Sequence, residues 1–422
     1  MLKILVTKTR RTDSVFGRIL AVLELGGLFC VILINISPCP LIKMKVCVVG
    51  TSISQTSGYA KVVYNMLKEL RGHVEVHHFA VQTSPTNLRP AIDGVITKEV
   101  EGFGFKELKG YCEENSIDIV FLYQDIRTIL EYLHNWKPPR CWVYLDTIGH
   151  GINKSVLKML EDSVERIYLM NDYWKSVYSF KNSGVLEHGV DTNVFYKKDV
   201  PDLRKKINIP ENAIVFLNCN RNSRRKRLDL TIQAFVLFCK RNPTSTAHLL
   251  LLTSKDGFYD IGSILYEEIR RHKFDCSSRV RTIFTDKLLL KDEDVNDFYN
   301  IADYGLNTSY GEGYGLTVLE HLAVGKPQVL TGLPSYTFVG NNAILVPPSG
   351  EREYDYKDDI LLGYFEHWKV EDIAVAMEQI QERKTQFSPK SWKEVMAGFL
   401  TDLQVPLVAP PQTEQIVEIP ML

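Results

Sequence analysis

From Met44 onward, short β-rich runs alternate with amphipathic helical stretches, and that alternation constrains the chain more than any other feature. A strand that reaches its successor through a helix lies parallel to it, so the pattern predicts an α/β protein with parallel sheets and helices on both faces. Residues 45–50, 73–81, 117–123, 141–145, 167–170 and 185–188 read as one set of strands. Val62, Val63, Met66, Leu67 and Leu70 recur at helical spacing between the first two. Residues 191–210 are polar, carry two prolines and suit a linker. A second set follows, with strands at 214–218, 248–253, 280–285 and 304–307, a helix at 228–239, and a mostly helical stretch at 359–403. The 422 residues divide into an extension (1–43), two Rossmann-like domains (44–195 and 196–362), C-terminal helices (363–405) that cross back to the first domain, and a loose tail (406–422). Two doubly wound domains facing across a cleft would hold a ligand at the carboxyl ends of their strands.

Composition removes several function classes. At 45% hydrophobic and 24% charged residues, the chain is neither disordered nor fibrous. A net charge of −1 provides no global field for nucleic acid or an anionic membrane, so any anion site is local and nucleic acid is not an expected partner. Eight cysteines without a CxxC pair argue against a zinc knuckle and suit a reducing, cytoplasmic setting. Residues 19–36 form an apolar run behind Lys3, Lys8, Arg10, Arg11 and Arg18, interrupted by Glu24 and two glycines. Two readings stay open there: a short signal anchor giving membrane association, which Glu24 opposes, and a dispensable or mis-assigned extension ahead of Met44.

The densest chemistry lies in residues 304–327, YGLNTSYGEGYGLTVLEHLAVGKP, which read as strand, glycine-rich loop and helix. Gly311, Gly313 and Gly315 let the backbone approach a ligand, and the amides of Leu316 and Thr317 open a helix end that suits phosphate. Glu312 in the loop and Glu320 in the helix can reach separate parts of one elongated ligand, its sugar and its ribose. A second constellation, FLNCNRNSRRKRLDLTI at 216–232, sends a strand into a basic loop. There Arg221 and Lys226 can converge on an anion, a bidentate group beside a point charge. The alternative is a solvated charge run or a targeting patch. The first loop, VCVVGTSISQTSGYAKVV, has Gly50 and Gly58 but no GxGxxG, which argues against a hydride-transfer site.

These residues resemble retaining GT-B glycosyltransferases of family 4, the glycosyl transferases group 1, whose Glu, seven residues, Glu signature is written here EGYGLTVLE. The resemblance implies a GT-B fold and a nucleoside-diphosphate sugar donor. Glu320 would bind its ribose, Glu312 would contact the donor sugar beside the reacting carbon, and Gly315, Leu316 and Thr317 would hold the diphosphate. Arg221 and Lys226 match the family's GR(x)4K loop, although Asn220 and Arg227 replace its glycines. Gly58, followed by Tyr59, stands where paired glycines adjoin the donor sugar and acceptor. Asp146, with His150 behind it, falls where the family places His or Asp at the cleft mouth, a candidate catalytic contact to sugar or acceptor hydroxyl. LEHGVDTNVF and the LRGH turn mark matching positions, and His321 replaces the usual Ala, which is expected to alter packing. The acceptor would be a sugar-, lipid- or protein-linked hydroxyl.

The acids Asp292-Glu293-Asp294 match the DxD that metal-dependent sugar transferases of another fold use, but they open a helix and suit caps. No metal and no cofactor are expected beyond the nucleotide sugar as co-substrate. The expected activity is transfer of a hexose with retention; the alternatives are a GT-B nucleotide-sugar epimerase and a non-catalytic sugar-nucleotide-binding protein.

Overall fold

A computed structural model describes residues 18–25, 28–35, 43–84, 89–146, 150–285, 288–354 and 363–404. The chain forms two units that meet at Met44. In the first, β1 (Arg18–Leu25) and β2 (Leu28–Asn35) pair antiparallel, with Leu25 opposite Leu28. Residues 19–36, read either as a short signal anchor or as part of a dispensable extension, thus contribute a two-stranded ribbon and not one helix. The interrupted run leaves eight residues on either side, far short of a spanning helix and ample for a strand. Among the described residues, no helix is long and apolar enough to cross a membrane.

The second unit carries two parallel sheets. The first comprises β3 (Lys45–Thr51), β4 (Glu75–Val81), β5 (Val95–Glu99), β6 (Ile119–Asp125), β7 (Cys141–Asp146), β8 (Arg166–Leu169) and β9 (Ser183–Val185), in the order β5-β4-β3-β6-β7-β8-β9. The second comprises β10 (Val215–Cys219), β11 (His248–Thr253), β12 (Val280–Phe284), β13 (Tyr304–Asn307), β14 (Gln328–Thr331) and β15 (Ala343–Val346), in the order β12-β11-β10-β13-β14-β15. Val46, Cys47, Val48 and Val49 are all buried, as expected for a strand covered on both faces. The helix Gly58–Leu70 starts where the Ser57 hydroxyl accepts the Ala60 amide at 3.2 Å, and it buries the five residues its periodicity marked. In each sheet the strand order reverses once, between β3 and β6 and between β10 and β13. The loops that follow those strands are where such a fold opens a crevice.

Two expectations change. Strand β5 carried no apolar run, because it is an edge strand whose residues from Ile96 to Glu99 are exposed; its pairing with β4, Val76 opposite Val95, is what defines it. The stretch 359–403 is less helical than its pattern suggested. Tyr364–Glu366 is a strand, β17, paired antiparallel with β16 (Arg352–Tyr354). Helix Val370–Gln379 stays on the second sheet, where Asn242 donates to Glu378 at 2.9 Å and the preceding Trp368 indole donates to the Val346 carbonyl at 2.8 Å. Helix Trp392–Asp402 alone crosses to the first sheet. There the Phe399 ring lies 4.7 Å from Phe121, 5.3 Å from Tyr168 and 5.6 Å from Trp142, while Asp402 accepts from Arg166 and Tyr168, both at 2.7 Å. The tail from Pro406 lies outside the described residues.

Phe399 is 1% exposed, so truncating it opens a cavity among aromatic rings. Phe399→Ala is expected to cost about 3–5 kcal/mol in a urea titration. A loss well under ~1 kcal/mol would show that the crossing helix does not tie the chain's end to the first sheet.

Candidate active site

The site grows from one strand pair. β10 and β13 lie side by side, Phe216 opposite Tyr304 and Leu217 opposite Gly305, so the basic loop after one and the glycine loop after the other leave the sheet together. Glu312 is 5% exposed and is gripped from two sides, by Lys226 Nζ at 2.5 Å and Arg225 Nη1 at 2.9 Å. Burial pushes this carboxyl up, but the two cations outweigh it and hold the group down at about 2. Burial in turn lowers Lys226 to about 8 against the pull of Glu312. A short 3₁₀ turn, Arg224–Lys226, aims both consecutive cations at one acid.

Arg225 is the residue that sequence reasoning missed. Arg221, expected to converge with Lys226, is exposed, and its charge acts on Lys226 from outside the Glu312 pair. The motif's spacing pointed to Arg221, and nothing in a run of four cations within five residues singled out Arg225. The substitution of Arg227 for glycine is accommodated. Arg227 adopts the left-handed conformation a glycine would take, φ 47°, while Asp229 holds its guanidinium at 3.0 Å and Thr308 donates to its carbonyl at 2.8 Å.

Beyond Glu312, two glycines are required by space. A Cβ on Gly313 would stand 1.9 Å from Asp146 Oδ1, so the loop presses directly on the carboxylate at the end of β7. Gly315 has φ +98°, and a Cβ there would meet the Tyr336 ring at 2.6 Å. It precedes the helix Leu316–Ala323, whose first amides, those of Leu316 and Thr317, have no partner within the helix. Asp146 Oδ2 accepts the Tyr59 hydroxyl, and burial raises its pKa despite that bond and the nearby Arg225. Gly58 starts the first helix and faces Leu316, whose methyl would lie 3.5 Å from an added Cβ. Glu312, Asp146, Lys226, Gly315 and Leu316 therefore come together, with Gly58 beside them. His150 stands apart from the Asp146 carboxylate, its ring hydrogen-bonded to the Tyr173 hydroxyl at 3.1 Å.

Glu320 lies one helix turn and more from this cluster and has different partners. It is 3% exposed; Oε1 pairs with Lys61 Nζ at 2.6 Å and Oε2 accepts from Tyr299 at 3.2 Å. Lys61 reaches over from the first helix and also contacts Asp292 at 2.9 Å, which meets Arg89 at 3.2 Å. Burial raises the pKa of Glu320 even beside that lysine. Sequence carried no sign of Lys61. The DxD acids are thus committed: Asp292 to Lys61 and Arg89, Asp294 to the Lys291 amide at 2.8 Å. His321 stacks its ring on Tyr299 at 4.7 Å, which steadies the phenol that binds Glu320.

Gly313→Ala is expected to cost about 1–3 kcal/mol in thermal unfolding, because either the loop or Asp146 must move. The double variant with Asp146→Ala should recover most of that loss; equal costs in the two backgrounds would show that the contact does not exist.

Comparison with known proteins adds the lineage. Residues 211–357 match the family described as glycosyl transferases group 1. The O-antigen biosynthesis glycosyltransferase WclY of Escherichia coli is 24% identical over 315 residues, covering 69% of this chain and 81% of that protein. Among solved structures, sucrose-phosphate synthase of Thermosynechococcus elongatus superposes with a TM-score of 0.59 at 15% identity, over 80% of this chain and 90% of its own. An E. coli trehalose-6-phosphate structure bound with UDP-2-fluoro glucose gives 0.59 at 11% identity, over 86% and 99%. With the second sheet matched by the family and the two-sheet architecture shared with such structures, the chain is similar to the group 1 glycosyltransferases and has the GT-B fold.

Proposed function

We propose that this glycosyltransferase moves a hexose from a nucleoside-diphosphate sugar to an acceptor hydroxyl with retention and without a metal. The observation that carries the reading is the buried Glu312 held by Arg225 and Lys226 beside the open end of helix Leu316–Ala323. A diphosphate needs compensating positive charge, and here Arg225 and Lys226, which together exceed Glu312 by one positive charge, and the amides of Leu316 and Thr317 supply it from one place. Negative charge grows on the diphosphate as the bond to the sugar breaks, so these contacts strengthen toward the transition state. The bond from the anomeric carbon to the diphosphate oxygen breaks, and the bond to the acceptor oxygen forms on the same face. The acceptor proton passes to the departing oxygen.

Glu312 then lies beside the sugar, Asp146 faces it from the first sheet, and Glu320 takes the ribose hydroxyls once Lys61 gives way. Gly58 and Arg221 border the same space. The bound UDP-2-fluoro glucose of the E. coli structure and the O-antigen role in the name of WclY both support a nucleotide-sugar donor and a glycan product. The six described cysteines are free, which suits a cytoplasmic reaction.

Titration with UDP-, GDP- and ADP-sugars is the direct test. Glu320→Ala and Lys226→Ala should each weaken the preferred donor by about tenfold or more, and unchanged affinity and turnover in both would sink the assignment. The pH dependence adds a sign. Lys226 sits at about 8, so it is charged below that and loses its proton above it. Donor affinity should therefore fall as pH rises from about 7 to about 9, and Lys226→Arg, whose cation persists, should flatten that fall. A wild-type profile without a decline would contradict the role of Lys226.

A further inference from the structure

A cavity of about 270 Å³ opens beside Glu312. Its walls come from segments that follow both sheets: His150, Tyr173 and Trp174 after strands of the first, Ser335 after β14 of the second, and Tyr364 and Glu366 from the separate β16–β17 hairpin, with Glu312 on its border. The rings are ordered against one another. His150 and Tyr364 stack at 5.6 Å and 9°, and Trp174 lies 5.1 Å from His150. Tyr364 and Glu366 belong to β17, beyond residue 357 where the family match ends.

Resting on the transferase reading above, we infer that this cavity is the acceptor subsite and that it takes an uncharged pyranose ring. Flat aromatic faces match the C–H face of a sugar ring, while a few fixed polar atoms orient its hydroxyls. Glu366, the Tyr173 hydroxyl and the His150 ring supply those atoms. Charge decides the class of sugar. Among the described residues, the acids that line the cavity are Glu312 and Glu366. Glu312 is engaged by Arg225 and Lys226. Arg352, across the hairpin, is committed to Glu366 at 3.2 Å and lies over the Tyr364 ring at 4.1 Å. A phosphorylated or carboxylated acceptor would meet carboxylates with no uncommitted Lys or Arg among the described lining residues, which selects against it. The position beside Glu312 sets an acceptor hydroxyl next to the carbon that is transferred.

The test uses the full chain saturated with its preferred nucleoside diphosphate, probed by calorimetry and saturation-transfer NMR. The probes are methyl glucopyranoside, methyl mannopyranoside and methyl galactopyranoside, with glucose 6-phosphate and methyl glucuronoside as charged counterparts. At least one neutral glycoside should bind saturably, and about tenfold tighter than its charged counterparts. Tyr364→Ala and Glu366→Gln should each weaken it by about tenfold while nucleotide affinity stays within about twofold. Both changes lie on a partly exposed hairpin, and unfolding midpoints confirm that the variants are folded. The subsite is overturned if no neutral glycoside binds, if both variants bind it as the wild type does, or if glucose 6-phosphate binds better. If glycosides bind through Tyr364 but no nucleotide sugar binds the wild type, the transferase reading falls and the acceptor assignment with it.

Discussion

A carboxylate taken out of water must be compensated where it lies, and at Glu312 the compensation comes from side chains 86 and 87 residues earlier in the chain. That triad can form only if β10 and β13 are neighbours, and they are neighbours only where the second sheet reverses its strand order. The same pairing aims the helix Leu316–Ala323 at the space in front of the two cations. Sheet topology, buried charge and anion site are therefore one arrangement. Removing Glu312 would leave two neighbouring cations without their shared carboxylate.

The two sheets are linked by polar as well as apolar contacts. Lys61 spans from the first helix to Glu320 and Asp292, and the Gly313 loop rests on Asp146. The helix Trp392–Asp402 also locks its Phe399 among rings of the first sheet. The apolar contact is permanent in character, because burying aromatic surface has no ligand-dependent competitor. The ionic one sits on a carboxylate that the proposed donor would need, so ligand binding and the Lys61 contact compete for one group.

Much of this was legible in the chain. The alternation from Met44 specified parallel strands; Glu312 and Glu320 stood out by spacing; and the glycine loop, read as room for a ligand, sets Gly313 against Asp146 and Gly315 against Tyr336. Where reading failed, the missing information was spatial. Arg225 differs from Arg221 only in which way a three-residue turn points it. Lys61 lies 259 residues from Glu320 and in an ordinary amphipathic helix. The exposed edge strand β5 has no pattern of its own and exists through its neighbour. The run at 19–36 had the composition of a span, and hairpin pairing divided it into two strands.

By itself, then, the sequence determined the local elements, the fold class and the two carboxylates of the candidate site, because periodicity and glycine placement act over a few residues. Tertiary structure alone decided which cations neutralise those carboxylates, that Asp146 meets the glycine loop, and that β17 completes an aromatic cavity beside Glu312. Those outcomes depend on burial, which turns modest charge pairs and ring contacts into strong ones only after distant segments have excluded water between them.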